Sequence, residues 1–378
     1  MVKKSINVNM KYDNAYFEDA DMWFVERSNN ILCQLDIDKN KLIYHGIIPY
    51  GSIGDAYRRH PQCVKYNNYI ICLPDRGKSF VVYNLENKEF QECMIDMKGC
   101  MRVGICNFWK INGNLWCVSS GMNSIIEFNP VLCEVVGYYA VFNDSINELG
   151  CDACAIGTTI LCTSVTSRML AFFDVNDKKV RYYEAKSDEP GYNSISAYDT
   201  KIYLSGFSRH IYVFDRITYE TCQIELNRDN FHIFDDKHNE IQDFSNHPIF
   251  RKSFMTESFV VFLPWYMPDS MADSIVIFCQ KTGKIKFYNI LQDIYKKRVT
   301  YNSQYLYIMQ IINNKEIEIY LDGEPLHYLN VQDGSVSHAT TEVKDTIYGN
   351  IFSDKHLLIS ETGKNDLREY IRAIAESN

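Results

Sequence analysis

This sequence predicts an all-β fold, a single β-propeller of about seven four-stranded blades. Three observations predict it: a recurring apolar triplet, a composition rich in strand-forming aromatics, and the alternating strands that follow each triplet. The triplets are Met22-Trp23-Phe24, Tyr69-Ile70-Ile71, Leu115-Trp116-Cys117, Ile160-Leu161-Cys162, Ile202-Tyr203-Leu204, Val260-Val261-Phe262 and Leu306-Tyr307-Ile308, with central residues separated by 47, 46, 45, 42, 58 and 46 positions. A period of about 45 residues with four strands per unit is blade-sized, whereas leucine-rich and helical repeats are shorter or lack these strands. One four-stranded sheet cannot bury both of its faces alone, but a ring of sheets packs each face on a neighbour. The chain is 46% hydrophobic and 14% aromatic, with 27 Tyr and 21 Phe against 9 Pro, which suits many short, half-buried strands.

The elements follow in order. A weaker strand such as QCVKYNN or SISAYDT precedes each triplet. After the triplet comes a polar turn, then a strand ending in an aromatic and an Asp or Asn: VVYNLEN at 81–87, IIEFNP at 125–130, LAFFDVND at 170–177 and IYVFDRIT at 211–218. The outermost strand alternates apolar and polar residues as a half-exposed strand does, in KLIYHGI from Lys41, KVRYYEA from Lys179, TCQIEL from Thr221 and KIKFYNI from Lys284. Seven such units run from about residue 14 to 333, and 1–378 is read as a single domain. The long 58-residue step marks a loop insertion at 227–252. Leu367, Tyr370, Ile371 and Ile374 fall at helical spacing and predict a C-terminal helix over 365–376. The alternative is eight blades, with Leu357-Leu358 opening another hairpin that the strand SINVNM closes.

In the first unit, Trp23, Phe24, Glu26, Asn30, Ile31, Asp36 and Pro49 of DMWFVERSNNILCQLDIDKNKLIYHGIIP form a pattern of W-F-x-E, N-I, an Asp-bearing turn and a terminal Pro. This pattern resembles the repeat of virginiamycin B lyase-like propellers. Later units keep the period and lose the W-F-x-E. The resemblance implies a propeller and, for that family, a metal-assisted elimination using His and Glu. No position here matches those residues, so no catalytic residue is carried over.

The net charge is −9, from 48 acidic and 39 basic residues without long like-charged runs, which disfavours general affinity for nucleic acid or for an anionic membrane. There is no apolar leader and no stretch near the length of a membrane span. The 13 cysteines lie mostly inside apolar strands, as in IICLP, LWCVS and ILCTS, and read as reduced core thiols of a cytoplasmic protein. Cys151-Asp-Ala-Cys154 is the one C-x-x-C, and no second pair completes a four-thiolate zinc site.

One face of a propeller is built from the loops entering each innermost strand and the loops joining the second and third strands. Arg59, His60, Asp75, Arg76, Arg102, Arg168, Arg209 and His210 fall in those loops. Arginines from separate repeats at comparable turns suit a carboxylate, a phosphate or an acidic sugar, because each guanidinium offers a planar fork of donors. The insertion and the turn PWYMPDSMAD are expected on the same face, with Phe231, Phe234, Trp265 and Tyr266 available to stack on a ligand or protein. His232, His238 and His247 with Asp235, Asp236 and Asp243 match no standard metal spacing, and no metal or other cofactor is expected. No nucleophile elbow, phosphate loop, dinucleotide fingerprint or H-E-x-x-H is present. The first reading is therefore a non-catalytic recognition or scaffold propeller that binds a protein partner, an anionic small molecule or a glycan on its loop face. The alternative is a lyase or hydrolase acting on a glycan or small molecule in the central funnel, with Asp75, His60 and His210 assembled across loops.

Overall fold

In a computed structural model the described residues are 15–19, 21–26, 30–36, 41–49, 59–142, 148–235, 239–241, 245–255, 258–264, 266–267, 270–289, 307–313, 316–321, 326–330 and 336–339. They hold seven four-stranded antiparallel sheets and one small three-stranded sheet. The four-stranded sheets are numbered one to seven in chain order, and in each the strands lie side by side in the order of the sequence. Their first strands are Ala15–Glu18, Gln62–Tyr66, Ile105–Ile111, Leu149–Ile156, Ser194–Tyr198, Phe250–Met255 and Tyr307–Asn313. The predicted eighth hairpin, the strand SINVNM and the helix over 365–376 lie outside the described residues.

The triplets are wholly apolar because a second strand buries both of its faces. Ile70 packs into a cluster with Trp23, Val25 and Leu32 of sheet one, while its neighbour Ile71 packs with Leu115, Cys117 and Phe128 of sheet three. The same division recurs along the chain. Trp116 joins the cluster shared by sheets three and four, Leu161 the one shared by four and five, and Tyr203 the one shared by five and six. Five clusters thus cement successive pairs of sheets from one to six, which is the packing of a β-propeller. Each fully buried Ile, Leu or Phe contributes roughly 1.5–3 kcal/mol to it. The fourth strands are the more exposed ones: in Lys179–Glu184 only Val180 and Tyr183 are half-buried, Val180 packing on the cluster shared with sheet three and Tyr183 on that shared with sheet five.

The Asp or Asn that ends each third strand has a local cause. Asn84, Asn129, Asp174 and Asp215 accept the backbone N–H two residues on, at 2.8, 3.0, 2.8 and 2.8 Å, so each side chain closes the turn into the outermost strand. Asn112 and Gly113, both at positive φ (51° and 81°), make the tight hairpin between the first and second strands of sheet three.

Two expectations are corrected. Six triplets lie on second strands, but Tyr307-Ile308 opens the first strand of sheet seven, whose second strand is Glu316–Leu321. The cause is that YIMQIIN is as apolar as a second strand elsewhere, so it imitates the repeat signal. Phe231 does not wait at the surface for a ligand. It is fully buried and stacks on Phe250, with centroids 5.5 Å apart.

Candidate functional site

Around sheets three to six, loops entering the first strands and loops joining the second and third strands line a cavity of about 600 Å³. One wall is Arg102, with Ser120, Gly121 and Asn123 of the adjoining turn. Sheet four contributes Glu148, Leu149, Cys151, Val165 and Thr166, and sheet five contributes Asn193 and Phe207. Asn246, His247 and Pro248, at the end of the insertion, close the far side.

Each wall is fixed by backbone hydrogen bonds. Ser120 N–H donates to Gly104 O at 3.0 Å and Gly121 N–H to Val103 O at 3.1 Å, which holds the Arg102 segment against the turn. Glycine is required at 121 because a Cβ there would lie 2.4 Å from Arg102 O. Asn193 is fully buried and links three sheets. Its Oδ1 accepts Cys151 N–H at 3.0 Å, and its Nδ2 donates to Phe250 O at 2.9 Å and to Arg251 O at 3.2 Å.

The first strands of sheets four, five and six are joined by one side chain. Asp152, fully buried, accepts N–H of Ile195 at 3.0 Å and of Ser253 at 2.9 Å, so sheets four, five and six share one carboxylate. Burial raises its pKa to about 6 against the attraction of Lys252. Lys252 Nζ reaches to sheet three and donates to Cys106 O at 2.9 Å. Desolvation lowers its pKa while Asp152 works the other way. The Cys151 thiol feels all of these charges. Burial raises its pKa, and the positive charges of Arg251, Arg102 and Lys252 pull it back.

Of the arginines singled out in the sequence, the structure brings Arg102 to this cavity and sends others elsewhere. Arg168 is engaged by Glu184 at 3.0 Å and Ser187 O at 2.8 Å, beside a separate depression with Glu189 and Pro190. Arg209 is buried and donates to Phe231 O at 3.3 Å, Ile241 O at 2.7 Å and Glu240 at 2.9 Å, which clamps the insertion to sheet five. Arg76 is exposed, and the carbonyl of Arg59 accepts N–H of Asp75 and Gly77 at 2.9 and 3.0 Å. Asp75 lies 3.9 Å from Arg102.

His60 is buried, not offered to solvent. Its Nε2–H donates to Ser79 O at 2.9 Å, Asn30 Nδ2 lies 3.1 Å from its Nδ1, and burial lowers its pKa to about 4. His210 is half-buried, bonded to Ser208 Oγ at 2.9 Å. Tyr266 lies on a two-residue strand of the three-stranded sheet, and Trp265 lies outside the described residues, as do His238, Asp236 and Asp243. Sequence reasoning missed Arg251, Lys252 and Asp152. The available signal was a pair of cations opening a first strand, in FRKSFM, where the other described first strands carry no such pair.

No protein-family model and no curated protein sequence matches the chain. Solved structures do. A catalytically inactive variant of virginiamycin B lyase from Staphylococcus aureus, with quinupristin, is 8% identical, with a TM-score of 0.58 over 86% of this chain and 97% of that one. A chain of a mitotic checkpoint complex is 8% identical, with a TM-score of 0.57 over 87% and 91%. PorZ, a surface component of the type-IX secretion system of Porphyromonas gingivalis, is 8% identical, with a TM-score of 0.54 over 89% of this chain and 39% of that one. At such identities the likeness is one of fold.

Proposed function

The chain being a β-propeller, we propose that it is a non-catalytic recognition or scaffold protein of the cytoplasm whose loop face receives a protein partner or an anionic ligand, whether small molecule or glycan. Rings of this build occur in a lyase, in a secretion-system surface component and in a checkpoint complex, so the fold alone leaves the activity open. The observation that carries the reading is the cavity on the loop face, framed by four sheets and lined by Arg102 in a protein of net charge −9. Loops held on a rigid scaffold are where binding residues concentrate, and concave sites with a few fixed polar groups are where ligands seat.

The test is affinity capture from the cells that produce the protein, using the wild type and Thr166→Trp, which fills the cavity mouth from an exposed position. Loss of a co-purifying protein or small molecule from the variant, at unchanged melting temperature, supports the reading. A capture profile indifferent to the substitution removes the loop face from consideration.

A further inference from the structure

We propose that the loops over sheets two and three form a docking surface for an acidic segment of a protein partner, with Met101 as its apolar anchor and Lys78, Lys98 and Arg102 as its cations; this rests on the recognition reading above and deepens it.

Two loops bonded to one another build the surface. One, residues 74–78, joins the second and third strands of sheet two, and the other, residues 95–104, runs from Met94 at the end of its fourth strand to the first strand of sheet three. Ile95 N–H donates to Lys78 O at 2.8 Å, Val103 and Gly104 N–H both donate to Asp75 O at 3.0 Å, and Ile105 N–H donates to Pro74 O at 3.1 Å. Between these anchor points Cys100 N–H closes a turn on Met97 O at 2.8 Å, with Lys98 and Gly99 at positive φ (47° and 86°). The backbone is thus fixed at both ends of the longer loop and in its middle. On this frame Met101 is 97% exposed and Met94 63%. Holding large apolar side chains in water adds nothing to the fold, whereas burying them stabilises a complex, and unbranched methionine moulds itself to the surface it meets.

Charge selects the partner. Lys78, Lys98 and Arg102 are all exposed. The Lys78 ammonium has no bond or ion pair among the described residues, Lys98 lies over the ring of Tyr138 at 4.7 Å, and Arg102 meets Asp75 only at 3.9 Å. The carboxylates of these loops and of the adjoining strand are engaged locally: Asp96 accepts Lys98 N–H at 3.2 Å, Glu92 accepts the Ser79 hydroxyl at 2.5 Å, and Asp75 is buried. Exposed cations around an exposed methionine, in a protein of net charge −9, complement an acidic chain that carries an apolar side chain. Nucleic acid fits less well, because its phosphates would leave Met101 in water and are repelled by the rest of the molecule. Arg102 also lines the cavity, so the surface is continuous with it.

The experiment pans a displayed random-peptide library against the whole protein and measures the enriched peptides by fluorescence anisotropy. Enriched sequences are expected to be rich in Asp and Glu and to carry a large apolar residue, with affinity falling as salt rises. Met101→Ser, and Lys78→Glu combined with Lys98→Glu, are each expected to weaken binding about tenfold or more. Lys284→Glu, which changes an exposed lysine in the turn between the third and fourth strands of sheet six, leaves it unchanged. All of these variants are expected to melt with the wild type, since every side chain changed is exposed.

The proposal is overturned if the enriched peptides are neutral or basic, if their binding is unchanged in Met101→Ser or in the double lysine variant, or if a single-stranded oligonucleotide of equal charge displaces the acidic peptide as well as unlabelled peptide does. If capture is lost in Thr166→Trp while no acidic peptide is enriched, the recognition reading stands and this surface falls. Capture indifferent to Thr166→Trp, with no acidic peptide enriched, removes both.

Discussion

His60 makes a quantitative forecast about acid stability. Its imidazole joins the first two sheets, touching Asn30 on one side and the carbonyl of Ser79 on the other, with no solvent contact. Burial holds the folded pKa near 4 against an ordinary value of 6.5. The folded state therefore favours the neutral ring, and the stabilisation is fully present above pH 6.5 and lost as pH falls toward 4. The full difference is about 3 kcal/mol, and about 2 kcal/mol of it is gone by about pH 5. Asp152 runs the opposite way, since its raised pKa makes its contribution grow as pH drops below about 6, and His45, lowered to about 4, runs with His60. The wild type alone would mix these effects. Urea unfolding of wild type and His60→Gln at about pH 7 and about pH 5 separates them, because Asp152 and His45 are common to both. The gap between the two proteins should shrink by about 2 kcal/mol on acidification. A constant gap, together with a His60 ring that titrates near 6.5 by NMR in the wild type, would refute the reasoning.

Other consequences are open to measurement. Gly121→Ala would bring a Cβ within 2.4 Å of Arg102 O and 2.8 Å of Val103 O, so the loop must move at a cost of about 1–3 kcal/mol, seen as a lower melting temperature. Arg209→Ala leaves the carbonyls of Phe231 and Ile241 without their buried donor, costing about 1–3 kcal/mol, and limited proteolysis should then cut faster within 227–249. All 13 cysteines are unbridged, so titration of unfolded protein without reductant should return 13 reactive thiols; several fewer would place disulfides in the native molecule.

Much of the architecture was legible because burial on both faces leaves a mark in sequence. Ile70-Ile71 and Trp116-Cys117 serve two different neighbours each, and only uninterrupted apolar residues can do that. Asp174 and Asp215 were legible as turn closers for a similarly local reason. The last sheet was displaced by one strand because apolarity does not report which of two adjacent strands carries it. The site was legible in part. Loop position identified the face and Arg102, but it counts charges without their partners. Glu184 beside Arg168 and Glu240 beside Arg209 are set by pairing across strands and by the fold of the insertion. Asp152 and Lys252 were missed because their partners, the N–H groups of Ile195 and Ser253 and the carbonyl of Cys106, lie on other sheets, a property of three-dimensional neighbours that a run of letters does not carry.

The reach of Lys252 to the carbonyl of Cys106 has a consequence for the ring as a whole. Sheets three and six are not neighbours, so this bond is a chord across the circle rather than a link along its circumference. Propellers built only of contacts between adjacent blades tolerate the gain or loss of a repeat, since each junction is the same wherever it falls. A chord has a fixed length. Adding a unit between Ile111 and Phe250 would widen the circle and pull the ammonium away from its acceptor, leaving a buried charge without its carbonyl. Deleting one would drive the strands together. The number of blades between sheets three and six is therefore tied to bonds that span non-adjacent sheets, Lys252 to Cys106 and Ser253 to Asp152, and repeat duplication in this protein is expected to be tolerated only outside that arc.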